Sequence, residues 1–341
     1  MNKIDKQIRK EIIIKHLTEL PEIPTRTLVT LLMKIYPETF PNYSGTRLTI
    51  QRIRGEAPAS YKDKMYDISI PQFKRTEEQK KEAMKVKKIP ESDYQKVEEF
   101  VFPKGNNRIL VLSDIHIPYH DIEALTTALE YGKTLNPNAI LLNGDTIDMY
   151  QASRFIKDRR LRDLAGEIEM TRDFLWHLKE EFNCPIYFKV GNHEARWENY
   201  LRTQAPELLG IAEFELSSIL QFGAIGVQEI KSTQLMKAGN LSILHGHEFG
   251  HSVFSPVNAA RGLYMRAKTD SLVGHHHQSS EHSEKDLLGN VVTTISMGCL
   301  AGLSPEYMPF NRWNHGFAFV EFEESGDFIV KNFRINKGKV Y

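Results

Sequence analysis

The sequence is poor in cysteine, with only Cys184 and Cys299 in 341 residues. Each lies inside an apolar stretch, which argues against a disulfide framework and predicts the reduced, buried thiols of a cytoplasmic protein. Long hydrophobic runs are missing too. No segment approaches the roughly 20 apolar residues that cross a bilayer. The opening MNKIDKQIRKEIIIKHL breaks its Ile12–Ile14 run with Lys15 and His16, well short of a signal-peptide core. Neither a membrane partner nor export is expected. Internal repeats and low-complexity tracts are absent. Nor is there an excess of charge, since 44 Lys and Arg balance 44 Asp and Glu. The balance is uneven, however: residues 1–104 carry a net +6 and the remainder −6. A basic N-terminal third favours a polyanionic partner only through nonspecific attraction.

With 41% apolar and 26% charged residues, the chain has room for one catalytic domain and a smaller appendage. Residues 1–56 read as a small helical module. Ile4, Ile8 and Ile12 recur at helical spacing, followed by Leu28, Leu31, Leu32 and Ile35, then by a segment from Ser44 to Arg54. Pro21, Pro24, Pro37 and Pro41 punctuate them. Residues 57–104 are rich in Lys and Glu and carry Pro71, Pro90 and Pro103, the pattern of an extended, charged connector. Over residues 105–341 short apolar runs alternate with helical stretches, as in an α/β domain.

The runs are Ile109 to Leu112, Ile140 to Leu142, Ile186 to Val190, Leu241 to Leu244 and Leu272 to Val273. Directly after them come Asp114-Ile115-His116, Gly144-Asp145-Thr146-Ile147-Asp148, Gly191-Asn192-His193-Glu194, His245-Gly246-His247 and Gly274-His275-His276-His277. Ligands of open α/β sheets bind beyond the carboxyl ends of the strands, so these clusters are expected on one rim. Residues two apart on a strand end point the same way. That pairs Asp114 with His116 and His275 with His277, and turns His276 away. Carboxylates, imidazoles and one amide, without a thiolate, suit Mn²⁺, Fe²⁺ or Zn²⁺ and argue against a structural zinc site. Taken alone, Asp114 would read equally well as a helix N-cap.

The order DxH, GDxxD, GNHE, HGH, GHxH over roughly residues 107–280 resembles the motif series of calcineurin-like metallophosphoesterases. The resemblance implies a sandwich of two β-sheets flanked by helices, here with a small N-terminal helical domain. It also implies hydrolysis of phosphoesters by a hydroxide that two divalent ions activate. By position, Asp114, His116 and His277 resemble the ligands of one metal, and Asn192, His245 and His275 those of the other. Asp145 would bridge them. His193 matches the family's histidine that steadies phosphoryl oxygens or protonates the leaving group, and Asp148 looks like its supporting carboxylate.

Substrate choice rests on other residues. Arg154 and Arg160, within a basic run that includes Lys157, Arg159 and Arg162, could hold a second phosphate or a nucleic-acid strand. A solvated helix start is the plainer explanation. Tyr307, Phe310 and Trp313 could stack a base or simply close a core. Arg47, Arg52 and Arg54 on the third predicted helix could face DNA or RNA. The leading expectation is a phosphodiesterase or nuclease acting on nucleic acid or a nucleotide. A phosphomonoesterase or protein Ser/Thr phosphatase is the alternative, weakened because GDTID stands where GDxVDRG would be and Val190 where RGNHE has its first arginine. An inactive hydrolase domain serving as a DNA-binding or scaffolding module would be expected to have broken motifs, and here every ligand position is filled.

Overall fold

The computed structural model describes residues 3–57, 70–76, 78, 92–154, 163–250 and 258–341. They fall into two compact units, Met1–Tyr94 and Gln95–Tyr341. Among the described residues, the first contains the three helices Lys3–Glu19, Thr25–Ile35 and Tyr43–Ile53. Their apolar positions, including Ile13, Leu17, Leu28, Leu32, Ile50 and Ile53, close one core around Phe40, and Phe73 joins it from beyond the helices. Asn42 caps the third helix by accepting the Gly45 N–H at 2.9 Å.

Arg54 is turned inward, contrary to the expectation that it faces a nucleic acid. It is 2% exposed and donates to Thr25 Oγ1 at 2.7 Å, Ile23 O at 2.7 Å and Pro21 O at 3.2 Å. Burial, then the charge of Arg75, lowers its pKa to about 10. Arg52 stays exposed and Arg47 half-buried.

The second unit contains β1 (Phe100–Val101), β2 (Arg108–Leu112), β3 (Ala139–Asn143), β4 (Ile186–Lys189), β5 (Val227–Ile230), β6 (Met236–Ala238) and β7 (Leu241–Leu244). After these come β8 (Ser271–Val273), β9 (Ser280–Lys285), β10 (Val291–Ser296), β11 (His315–Phe322), β12 (Phe328–Asn336) and β13 (Lys339–Val340). Among the described residues they form two sheets, ordered β1-β6-β7-β8-β10-β9 and β13-β12-β11-β2-β3-β4-β5. Strands β2 to β5 run parallel, in register Ile109↔Ala139 and Ile140↔Ile186. Residues 100–102, read from sequence as connector, belong to this unit: β1 pairs with β6, and Phe102 is buried.

Strand alternation builds both layers of core. Ile109, Val111, Leu141 and Tyr187 face the other sheet, where Ile243 and Leu272 meet them. Leu110, Leu112, Ile140, Leu142, Ile186 and Phe188 pack with the helices Ile122–Thr134 and Leu164–Phe182. Asp121 and Asp163 cap those two helices, accepting from Ala124 N and Gly166 N. The cap of the first helix is therefore Asp121, and Asp114 is left for another role. Cys184 and Cys299 are buried and unbonded to each other. No helix among the described residues is long and apolar enough to cross a membrane.

Candidate metal centre

Every cluster singled out in the sequence follows the carboxyl end of a strand: β2, β3 and β4 of one sheet, β7 and β8 of the other. The sheets are tied at this rim by Asn143, whose side-chain amide donates to Leu244 O at 2.8 Å. Strand pleating does not deliver the side chains, because the strands have already ended. Asp114, His116, Asp145, His275 and His277 all have left-handed backbone, with φ of 56°, 55°, 52°, 62° and 55°. Such a φ costs a non-glycine residue roughly 1 to 3 kcal/mol, so a run of tight turns brings these side chains to one place. The glycines beside them are required by the close approach. A Cβ on Gly144 would collide with the His245 ring, and one on Gly274 with Ser113 Oγ and Asp114 Oδ2.

Asp114, His116 and His277 form one convergence. His277 Nε2 stands 3.2 Å from Asp114 Oδ1 and 3.2 Å from His116 Nε2. Asp145, His245 and His275 form another, with His245 Nε2 3.2 Å from both Asp145 Oδ2 and Asn192 Oδ1. Asp145 Oδ2 also lies 4.0 Å from His116 Nε2 and 3.8 Å from His193 Nε2, so one oxygen faces both groups. His275 and His277 thus part into different groups instead of sharing a face. His276 is half-buried and belongs to neither.

The donor set fits divalent cations. Asp114 Oδ1 and His275 Nδ1 are buried without a hydrogen-bond partner, a state that buried polar atoms seldom tolerate. His245 Nδ1 lies 2.7 Å from Asn143 O. A carbonyl can only accept, so Nδ1 carries the proton and Nε2 is turned to the centre. The electrostatics ask for positive charge at the same points. Burial would lower the pKa of His245 and His277, yet Asp145 and Asp114 respectively outweigh it and push each up to about 10. Burial would likewise raise Asp114 and Asp145, but His277 and His245 hold them well below the carboxylate range. His275 falls to about 3, through burial and then the charge on His245.

Asp148 sits behind this centre, its Oδ2 3.2 Å from both His116 Nδ1 and His193 Nδ1. The Asp148 carbonyl lies 3.0 Å from the same His193 nitrogen. The His193 backbone N–H donates to Asp145 Oδ1 at 2.9 Å, which fixes that ring against the centre. Burial opposes a proton on His193, and the Asp145 and Asp148 carboxylates overcome it, so its pKa is raised.

Three contributors had been given no role from the sequence. Glu194 is 1% exposed and accepts from Gly191 N, Asp145 N, Thr146 N and Ile147 N at 2.8, 3.0, 2.7 and 3.3 Å. It clasps the GDTID turn to the GNHE turn. Glu248 accepts from His245 N and Gly246 N and pairs with buried Lys189. Arg196, in the first turn of helix Ala195–Gln204, donates to Asp148 O at 2.8 Å and holds Nη2 2.8 Å from His193 Nε2. Its position three residues after His193, one turn away across the start of that helix, was the available signal.

Of the residues proposed for substrate, Arg154 is exposed just after the short helix Tyr150–Ala152. Arg160 lies outside the described residues with Lys157, Arg159 and Arg162. Trp313 meets His277 edge-on, ring centres 4.2 Å apart, and Tyr307 lies 6.3 Å from Trp313. Phe310 is almost wholly exposed. The aromatic loop therefore adjoins the centre.

A family model described as calcineurin-like phosphoesterase matches residues 107–295. The Gene 54 protein of Mycobacterium phage L5 is 28% identical over 228 residues, which is 63% of this chain and 89% of the phage protein. Among solved structures, vacuolar protein sorting 29 from Cryptosporidium parvum aligns at TM-score 0.38 and 15% identity, covering 69% of this chain and 94% of its own. A dimetal phosphatase from Danio rerio aligns at TM-score 0.33 and 13% identity, covering 67% and 96%.

Proposed function

Because the chain belongs to the calcineurin-like phosphoesterase family and is a hydrolase of phosphoester bonds, we propose that it is a phosphodiesterase or nuclease acting on nucleic acid or a nucleotide at this centre. Asp114, His116 and His277 would hold one divalent ion, and Asn192, His245 and His275 a second, with Asp145 shared. The observation that carries the assignment is Asp145 Oδ2, placed within 4.0 Å of imidazole nitrogens from both groups. Mn²⁺ is the proposed ion, with Fe²⁺ and Zn²⁺ compatible with the same donors. Two such ions, when bound, acidify water and offset the repulsion between a phosphate and its nucleophile.

The protein's own groups do the remainder. His193 gives the leaving oxygen a proton from Nε2, and Asp148 holds the ring through Nδ1. Trp313 and Tyr307 offer flat faces for a base beside His277. That wall is what favours a nucleotide over a phosphopeptide. The first unit is the proposed contact for DNA or RNA, with exposed Arg52 available for it, and the cytoplasm is the proposed location.

The test is hydrolysis by the Mn²⁺-loaded protein of a phosphomonoester, a phosphodiester, single- and double-stranded DNA, and a phosphopeptide, with Asp145→Asn as control. Cleavage of the diester or DNA above the others is expected. Preference for the phosphopeptide would overturn the substrate class, and equal rates in Asp145→Asn would overturn the centre.

A further inference from the structure

The arginines that orient phosphate in the phosphoprotein phosphatase motifs have no counterpart in GDTID or in KVGNHE. A phosphoester approaching the centre carries negative charge that imidazoles alone do not clamp. One arginine does reach this place from a different element. Arg196 leaves the first turn of helix Ala195–Gln204 and is four-fifths buried, with 19% of its side chain exposed. Its Nη1 is held by Asp148, at 2.8 Å from the carbonyl and 3.3 Å from Oδ1. Its Nη2 lies 2.8 Å from His193 Nε2, the ring atom that also faces Asp145 Oδ2 at 3.8 Å. A guanidinium nitrogen can only donate, so His193 Nε2 accepts from it in this arrangement and can take up a proton only once Nη2 turns to another acceptor. Tyr307 is exposed, and its hydroxyl is near enough to Asp148 and Arg196 for both charges to act on it.

We infer that Arg196 is a substrate-contacting residue whose guanidinium grips a non-bridging phosphoryl oxygen beside His193, in place of the arginines that the sequence lacks. The contact with His193 Nε2 is then the resting position. An incoming phosphoryl oxygen takes the Nη2 hydrogen bond, while Asp148 keeps Nη1 in place. A fork with one tine anchored loses little rotamer freedom on binding. Lysine, a point charge without the fork, could not hold Asp148 and phosphate in the same geometry. The inference rests on the phosphoesterase reading of the centre.

Inorganic phosphate is the probe. Its dissociation constant is measured by calorimetry on the Mn²⁺-loaded wild type, Arg196→Ala and Arg196→Lys, alongside KM for an aryl phosphodiester, bound Mn²⁺ and melting temperature. Arg196→Ala is expected to weaken phosphate about 10- to 100-fold and raise KM similarly, a loss of about 1.4 to 2.8 kcal/mol, at unchanged Mn²⁺ content. Arg196→Lys should fall between, and millimolar guanidinium should restore part of the affinity of the alanine variant. Phosphate affinity within twofold of wild type, or a loss that merely follows lost Mn²⁺ or a lowered melting temperature, would overturn the inference. A wild type that binds Mn²⁺ but neither binds phosphate nor cleaves any ester would bring down the centre's phosphoesterase reading and the inference with it.

Discussion

Lys189 and Glu248, 59 positions apart in the chain, form an ion pair of 3.1 Å beneath the turn that carries His245. The Lys189 side chain is wholly buried and Glu248 is 16% exposed. Lys189 also donates to Lys231 O, Ser232 O and Gln234 O at 3.0, 2.8 and 2.8 Å. Glu248 in turn accepts from the His245 and Gly246 N–H groups. The end of β4 thus sets the backbone of the turn after β7.

Lys189→Met leaves that carboxylate and three carbonyls without their partner. Loss of one member of a buried pair costs about 3 to 5 kcal/mol, which in a unit of this size lowers the melting temperature by roughly 10 °C. Mn²⁺ affinity should fall about 10- to 100-fold, because the turn that aims His245 is no longer held. Differential scanning calorimetry and metal titration check both. An unaltered melting temperature would show that the pair does not hold the turn.

Glu194→Gln replaces one carboxylate oxygen with an amide that points hydrogens at backbone donors. Two of the four N–H bonds are then lost, at about 1 to 3 kcal/mol each. The GDTID turn should loosen against the GNHE turn, and hydrogen exchange at Asp145, Thr146 and Ile147 should speed up. Exchange at wild-type rates there would contradict the clasp.

Glu167 gives the pH dependence. Its carboxyl is raised from 4.5 to about 7, first by burial and then by the Asp148 carboxylate, with the Tyr150 and Met149 N–H groups opposing. Below the lower value both folded and unfolded chains hold the proton. Between the two values the unfolded chain ionises first, so stability falls as pH rises, and the penalty is complete above about 7. Glu167→Gln removes it. The variant should exceed wild type by roughly 1 to 2 kcal/mol at pH 8, allowing for partial solvent screening, and match it near pH 4.5. Urea unfolding across that range measures the difference; a constant gap would contradict the assignment.

Arg54→Met should destabilise the N-terminal helices by about 2 to 4 kcal/mol, since Thr25, Pro21 and Ile23 lose a charged donor. Faster amide exchange across Thr25–Ile35 and Tyr43–Ile53, with the second unit unchanged, is the expected result. If instead DNA affinity fell at unchanged exchange, Arg54 would be a nucleic-acid contact after all.

The five strands that lead into the site and the long helix were legible because each is written in local periodicity. Five apolar runs mark β2, β3, β4, β7 and β8, and Leu164, Ile168, Thr171, Leu175 and Leu178 mark the long helix. The convergence of Asp114 with His116 was legible too, although pleating was the wrong cause: left-handed turns produce it. Helical spacing placed Arg54 on a face but could not say that the face is interior, because the charge is satisfied by carbonyls around Pro21 and Ile23. The Lys189–Glu248 pair and the pairing of β1 with β6 depend on contacts far apart in sequence. No local pattern carries them.

Five left-handed residues stand where the proposed ligands are, and glycine or asparagine would occupy such a backbone more comfortably. A laboratory selection for heat resistance carried out on metal-free protein would therefore be drawn to positions 114, 116, 145, 275 and 277, and would gain hardiness by deleting the centre. Directed evolution of this chain has to keep metal in the medium or score turnover, because here fitness for survival and fitness for chemistry pull the same five positions in opposite directions.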